Sequence, residues 1–204
     1  LEVSKDESTE EKILVAAEES FISEGFEGAR MQSIANKAGI NKAMLHYYFR
    51  SKDLLFEKIF DLKVKYFFPE ISEIFKQEKP FEEQIEDFIE RYIKFINQYP
   101  FIPFFIIRTI NSPGKMAFIE KLPFKKQLAE MVFESYAKDK ALGRVRDLDP
   151  MQFFLSVLGM CIFPFIGRPI LEFAFGMEKE KFSDMMIQRI PELKLYVRTI
   201  LKVE

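Results

Sequence analysis

The chain has very few of the side chains on which most catalytic and metal sites depend. Its 204 residues include one cysteine, Cys161, one histidine, His46, and no tryptophan. One cysteine excludes an intrachain disulfide and a zinc cluster of several cysteines. One histidine means that a Ser-His-Asp triad or a multi-histidine metal site would have to be assembled around His46 alone. We therefore expect no enzyme activity, no cofactor and no bound metal.

The chain also has few glycines, a small net charge and few long apolar runs. The chain has eight glycines and no glycine-rich loop for a phosphate. A net charge of −2 excludes a uniformly basic nucleic-acid binder but leaves room for a local basic face. We interpret the longest uncharged stretch, residues 150–167, as a buried helix and not as a membrane span. The first residues, LEVSKDESTEEK, show no apolar run behind a basic start, so we expect no signal peptide and a cytoplasmic protein.

Apolar residues at helical spacing run through almost the whole chain, and the alternating pattern of strands is missing. We therefore predict an all-α fold. Ser8 and Glu11 form a capping-box pattern, and Gly25 ends the first helix. Two short helices are predicted at residues 31–38 and 42–48, and a long helix is predicted after Ser51, with a kink or break at Pro69. Further helices are predicted after Pro80, at about 123–138 and at 150–163, the last of these broken by Pro164, Gly167 and Pro169. A final helix is predicted from about residue 178 onward. We place a functional boundary between residues 1–50 and residues 51–204.

The most informative feature is a contrast of charge near the N-terminus. Residues 30–52 carry five basic side chains and no acid, whereas residues 1–29 have a net charge of −7. In a nearly neutral chain this contrast favours a basic face that meets an anionic partner. A charge run that merely faces solvent is the alternative interpretation. The five basic side chains are Arg30, Lys37, Lys42, Arg50 and Lys52.

The same segment has the spacing of a helix-turn-helix motif. Gly39 supplies a turn between two short helices, and Ala35 is small where the helices must cross. Lys42 and Lys52 each begin a helix, where a cation opposes the helix dipole, so helix stability does not explain either lysine. Both would be explained by a phosphate at those helix ends. A small core is predicted from Ile34, Ile40, Leu45 and Tyr48.

From Ile13 to Leu55 the chain closely resembles the DNA-binding domain of the TetR family of transcriptional regulators. The matching pieces are an amphipathic first helix with AA and F, then GF, IA..AGI and L.YYF.SK.LL. Two positions differ from the usual pattern. Arg30 stands where the family commonly has a Ser or Thr helix cap. His46 stands where the family commonly has a tyrosine that contacts the DNA backbone, and this change could alter the pH sensitivity of that contact.

The resemblance implies roles for individual residues. Lys42 to Tyr47 would form the recognition helix, with Lys42, Ala43 and Met44 facing base edges. His46, Tyr47 and Lys52 would contact phosphate or sugar. Arg30 and Gln32 would contact the flanking backbone. For His46, a metal ligand and a catalytic base are the alternatives.

The resemblance further implies that the remaining helical part binds an effector and forms a dimer. The 24 phenylalanines could line a cavity for a hydrophobic or amphipathic small molecule, although ordinary core packing is the alternative for each of them. This cavity is expected between the helix after Ser51 and the helices after Pro80, Pro100 and Pro123. The candidate ligand-binding residues are Phe67, Phe104, Phe105, Arg108 and Phe133. The candidate dimer-interface residues, on the last two long helices, are Leu158, Met186, Ile190, Leu193 and Val197.

These observations favour a homodimeric, ligand-responsive regulator that binds double-stranded DNA. We expect a repressor that a hydrophobic small molecule releases from a palindromic, inverted-repeat operator, with no membrane partner. A helical enzyme is the second class of function, and it lacks a catalytic constellation. A helical module that binds a small molecule, a lipid or a protein partner without any DNA function is the third class.

Overall fold

The computed structural model describes residues 8–110, 127–176, 178 and 181–203. Within these residues all regular secondary structure is helical, which confirms the all-α prediction. The chain divides into two compact units, Leu1–Val64 and Lys65–Glu204. The functional boundary that we place after residue 50 follows the sequence motif and stays a prediction.

Three helices and the start of a fourth make up the first unit. They are α1 (Thr9–Gly28), α2 (Met31–Lys37), α3 (Lys42–Tyr48) and α4 (Lys52–Lys76), which continues into the second unit. The predicted capping box is confirmed, because the Ser8 hydroxyl accepts from the Glu11 amide and the Glu11 carboxylate accepts from the Ser8 amide. Gly25 has a φ of 69° and interrupts the helical path of α1.

The described part of the second unit contains six further helices. They are α5 (Phe81–Gln98), α6 (Phe101–Ile110), α7 (Gln127–Ala141), α8 (Pro150–Ile166), α9 (Arg168–Phe175) and α10 (Phe182–Leu201). Helix α5 packs against α6, α7, α8 and α10, so it occupies the centre of this unit. Its buried face consists mainly of isoleucine and phenylalanine at steps of three and four residues. These side chains include Phe81, Ile85, Phe88, Ile89, Ile93 and Ile96.

Several predicted helix ends are wrong. Pro69 does not break α4, which continues to Lys76 with Ile71 and Ile74 fully packed in the core. Burial of these neighbours offsets the backbone hydrogen bond that a proline removes. Pro164 likewise lies inside α8. The sequence between Gly167 and Phe175 is helical, because a proline is well tolerated in the first turn of a helix.

The predicted start near Pro123 lies outside the described residues. The last helix begins at Phe182 rather than near residue 178.

Helix α8 contains the single cysteine. Cys161 is buried, and burial raises the pKa of its thiol to about 12. Cys161 therefore packs as a small core residue. Across the described ranges, no single helix is long and apolar enough to cross a membrane.

Ion pairs run along the contact between α5 and α10. Arg198 donates two hydrogen bonds to the Glu86 carboxylate. Lys194 Nζ lies 2.6 Å from Glu90 Oε2, and Lys94 Nζ lies 2.6 Å from Glu90 Oε1. The hydrogen bonds from Lys194 and then Lys94 lower the pKa of Glu90 from 4.5 to about 2. Since the carboxylate is favoured in the folded state, this pair stabilises the second unit at neutral pH.

The Glu90 contacts predict a specific pH dependence of stability. Replacing Glu90 with Gln should reduce the free energy of unfolding at pH 7 by about 1 kcal/mol or less, because the carboxylate is partly exposed. The stabilisation is present above about pH 4.5 and is lost as the pH falls towards 2, so the variant should also show a weaker pH dependence in that window.

Urea unfolding at several pH values, followed by circular dichroism, measures both effects. Glu73→Gln is the matched control, since Glu73 pairs only with Lys76 on its own helix at 3.6 Å. Equal pH dependence of the wild type and E90Q would contradict this account of the pair.

Candidate nucleic-acid interface

The predicted helix-turn-helix is present in the first unit. Gly39 has a φ of 68°, and the Ile40 amide donates to the Ala35 carbonyl at 3.0 Å, which closes the turn between α2 and α3. Ile34, Ala35 and Leu45 are fully buried between the helices. Tyr48 was predicted to join this core, and that prediction is wrong because its side chain is 42% exposed.

Helix α3 presents almost all of its side chains to solvent. The Asn41 side chain accepts from the Met44 amide at 2.8 Å and so caps the start of α3. Leu45 is the one residue of α3 that is buried. Tyr47 is 84% exposed, far more than a tyrosine with only a structural role requires. The predicted DNA-contacting residues on this exposed surface are Lys42, Ala43, Met44, His46 and Tyr47.

The start of α2 precedes α3 by about ten residues in the sequence, and it is also exposed. Arg30 occupies the N-cap position and makes no capping hydrogen bond, so the first amides of α2 lack a side-chain partner there. Gln32 donates to Asn36 at 3.0 Å along the exposed side of α2. An uncapped helix start next to an arginine is suited to an anion.

Two of the five basic side chains are engaged inside the unit. Lys37 Nζ lies 3.0 Å from Ser20 Oγ and 3.4 Å from a Glu24 carboxylate oxygen. Lys52 Nζ donates to the Phe26 carbonyl at 2.6 Å and to the Ala29 carbonyl at 3.0 Å. The prediction that Lys52 contacts phosphate stays untested, and in the free protein backbone carbonyls already occupy its ammonium.

The other three basic side chains remain available. Among the described residues, no ion pair or hydrogen bond involves the side chains of Arg30, Lys42 or Arg50. All three are exposed. Within residues 30–52, the positive charge that can meet an anion thus lies at the start of α2 and at the two ends of α3.

His46 has its own backbone partner. Its Nδ1 lies 3.3 Å from the Arg50 carbonyl, which can only accept, so the hydrogen bond places the proton on Nδ1. Nε2 then remains for an external partner. In the part of the chain that the structure describes, no cluster of three His, Cys, Asp or Glu side chains could hold a metal ion. The metal-ligand alternative for His46 gains no support there.

The predicted ligand-binding residues occupy different environments in the second unit. Phe67 stacks on Phe95 with ring centroids 3.9 Å apart, and Phe133 packs partly buried against the core. Phe105 is buried, whereas Phe104 is 45% exposed. Arg108 belongs to α6, but its side chain lies outside the described part of the chain.

A cavity of about 400 Å³ lies elsewhere in this unit, among the end of α4, the start of α5 and α7. None of the five predicted ligand-binding residues lines it. Gln84 and Asp139 are the buried polar residues of its wall, and both have hydrogen-bond partners in the protein. The other lining residues are Phe75, Lys76, Gln77, Glu78, Lys79, Met131, Glu134, Ser135 and Lys138.

The predicted dimer interface also needs correction. The apolar row of α10 is buried within its own chain, where it packs against α5 and the rest of the core. A side chain that is already buried cannot supply a surface to a second copy. This applies to Met186, Ile190, Leu193 and Val197, while Leu158 of α8 is partly buried against the same core.

Comparison with known proteins places the motif in a family. Residues 13–59 match the family model described as "Bacterial regulatory proteins, tetR family". No curated protein sequence matches the chain. A transcriptional regulator of the TetR/AcrR family from Thermobifida fusca has a solved structure that is 21% identical, with a TM-score of 0.67, covering 91% of this chain and 96% of that chain.

A second solved structure is that of AibR in complex with isovaleryl coenzyme A and operator DNA. It is 20% identical, with a TM-score of 0.62, and covers 88% of this chain and 96% of that chain. Both structures therefore share the fold of this chain over most of its length.

The cap of α3 yields a stability prediction. Replacing Asn41 with Ala removes the acceptor for the Met44 amide and should reduce the free energy of unfolding by about 1 kcal/mol. Asn36→Ala is the matched control on α2, because it removes only an exposed contact with Gln32 and should cost less than about 0.5 kcal/mol. Urea titration followed by circular dichroism measures the difference. Equal costs for the two variants would contradict the capping role.

Proposed function

We propose that the chain is a transcriptional repressor of the tetR family of bacterial regulatory proteins, which residues 13–59 match, and that a small molecule releases it from its operator. Members of this family are DNA-binding proteins and not enzymes. One observation carries the proposal: α3 exposes Lys42, Ala43, Met44, His46 and Tyr47 together, next to cations without protein partners. A DNA regulator acts beside the chromosome, which agrees with the expected cytoplasmic location.

We propose that α3 enters the major groove. Ala43 and Met44 offer apolar contact to a thymine methyl group, and Lys42 reaches a phosphate or a base edge at the start of the helix. His46 and Tyr47 contact sugar or phosphate. Arg30 and Gln32 contact the flanking backbone from the start of α2. Arg50 joins this set, since it is exposed and lies two residues beyond the end of α3.

The protein acts as a homodimer on an inverted repeat in this proposal. A two-fold dimer would present its recognition helices one turn of DNA apart, about 34–36 Å, or at a multiple of that spacing. The interface is reassigned to the outer faces of α8 and α10, which remain free in the described chain. The outward row on α10 consists of Ile187, Pro191, Leu195 and Thr199, and that on α8 includes Met151, Leu155 and Gly159.

The effector is proposed to be a hydrophobic or amphipathic molecule bound in the second unit. AibR, which has this fold, binds isovaleryl coenzyme A together with operator DNA according to its structure. An acyl thioester is therefore a reasonable first probe for this chain. Phe67, Phe104, Phe105, Arg108 and Phe133 remain our candidates for the wall of its site.

Selection from random duplexes, followed by a release screen, tests the whole proposal. The purified protein should enrich an inverted repeat, and acyl-coenzyme A thioesters or free carboxylic acids from a panel should release it. Failure to retain any duplex would exclude a DNA function. Enrichment without release by any compound would retain the DNA function and remove the proposed effector class.

Lys42 should behave as a phosphate contact. Lys42→Met should weaken binding to all duplexes alike and reduce the slope of log K against log salt by roughly one unit, because one fewer counterion is released. Lys37→Met is the matched control from the same charged segment, since Lys37 is engaged by Ser20 and Glu24. Fluorescence anisotropy from 50 to 200 mM salt measures both slopes. An equal effect of the two substitutions would remove Lys42 from the interface.

The reassigned dimer interface predicts the effect of a surface charge. Leu195→Glu should convert the dimer to a monomer and reduce operator affinity, because it places a charge in an apolar contact. Leu142→Glu is the matched control, since Leu142 is equally exposed but lies after α7. Sedimentation velocity measures the mass of each variant. A dimeric L195E protein would exclude this face of α10.

A further inference from the structure

Residues 26–29, which lead into the helix-turn-helix, are hydrogen-bonded to the first turn of α4. Gly25 takes the chain out of its helical path, and the turn that follows leads directly into α2. Lys52 Nζ donates to the Phe26 carbonyl at 2.6 Å, to the Ala29 carbonyl at 3.0 Å and, more weakly, to the Glu27 carbonyl at 3.4 Å. An ammonium has three donors, so this turn occupies all of them.

An aromatic contact strengthens the same attachment. Lys52 Nζ lies 4.5 Å from the centre of the Phe26 ring. That ring packs edge-on against Phe56 of α4, with centroids 5.1 Å apart. The turn is therefore held to α4 by both a charged group and an apolar group, one helical turn apart.

The exit from the helix-turn-helix reaches the same place. After α3, Phe49 is buried and its amide donates to the Leu45 carbonyl at 2.8 Å. Ser51 then caps α4, accepting from the Leu54 amide at 3.2 Å. Both ends of the segment that contains α2 and α3 are thus fixed at the first turn of α4. In the first turn of α4, Lys52 is the residue whose side chain contacts residues 26–29.

This geometry also explains why a lysine occupies an unfavourable position. A cation at the start of α4 opposes the dipole of that helix. The carbonyl oxygens of the turn after Gly25 carry partial negative charge and lie within hydrogen-bond distance of the same cation. Their attraction offsets the repulsion from α4, and no phosphate is needed to account for Lys52.

We propose that Lys52 is a positioning residue for DNA recognition, which rests on the proposed function. Its ammonium fixes the turn of residues 26–29 on α4 and so sets the orientation in which α2 and α3 are presented. Lys52 acts through this turn and does not neutralise a phosphate. Its loss should impair the reading of sequence more than the attraction to DNA in general.

The test compares Lys52→Met with Lys42→Met on the selected operator and on a random duplex. Methionine keeps most of the apolar stem of Lys52 and removes the donors. K52M should bind the operator about tenfold or more weakly, which is the loss that one mismatched base pair causes. Its affinity for random duplex and its salt slope should stay unchanged. A loss of global stability alone would not change the ratio of operator affinity to random-duplex affinity for the folded protein.

Lys52→Arg separates the two roles independently, including the case in which K52M does not fold. A guanidinium serves a phosphate at least as well as an ammonium does, but its planar fork does not match three convergent carbonyls. The positioning role therefore predicts that K52R loses operator discrimination and keeps its salt slope. A K52M slope reduced by about one unit, or a K52R protein with full discrimination, would overturn the proposal.

Amide hydrogen exchange of the free protein separates failure of this inference from failure of the proposed function. If the wild type selects no duplex, the proposed function fails. Exchange of residues 29–37 should nevertheless be faster in K52M, or in K52R if K52M does not fold, than in K42M, because the entry to α2 is released. Equal exchange in these variants would overturn the positioning role whatever the outcome of DNA selection.

Discussion

One ammonium group at the start of α4 determines how the first unit is organised. The Lys52 ammonium donates hydrogen bonds to the carbonyls of the turn after Gly25. The aromatic contact between Phe26 and Phe56 holds the same turn against α4. Because the chain leaves α3 only three residues before Lys52, the short helices α2 and α3 are held at both ends by one helix.

This attachment changes the meaning of the basic segment. Its five cations appear equivalent in the sequence, but Lys37 and Lys52 neutralise groups of α1 inside the unit. Arg30, Lys42 and Arg50 are left to provide the external charge. The second unit uses charge in a similar internal way, since Glu86 and Glu90 of α5 pair with Arg198 and Lys194 of α10. Of these five cations, the three that can meet an external anion therefore lie beside α3.

Features that depend on neighbours in the sequence were predictable, and those that depend on distant partners were not. The capping box at Ser8 and the turn at Gly39 follow from local chemistry and are confirmed. The partner of Lys52 lies some 25 residues away, so the sequence shows an unexplained cation but not the carbonyls that bind it.

The periodicity of α10 has the same limitation. It correctly indicates a buried face, but it cannot distinguish burial against α5 from burial against a second copy. The exposed row of Ile187, Pro191, Leu195 and Thr199 has its own helical spacing, which could have indicated a second surface.

The central claim is that the exposed side of α3 is the surface that meets DNA, and photo-crosslinking measures this most directly. A benzophenone amino acid at position 47 replaces a tyrosine of α3 that is 84% exposed, and one at position 173 replaces a similarly exposed phenylalanine of α9. With a radiolabelled operator, the account predicts a crosslink to the DNA from position 47 and none from position 173. A protein that binds the operator but crosslinks only from position 173, or equally from both, would contradict it.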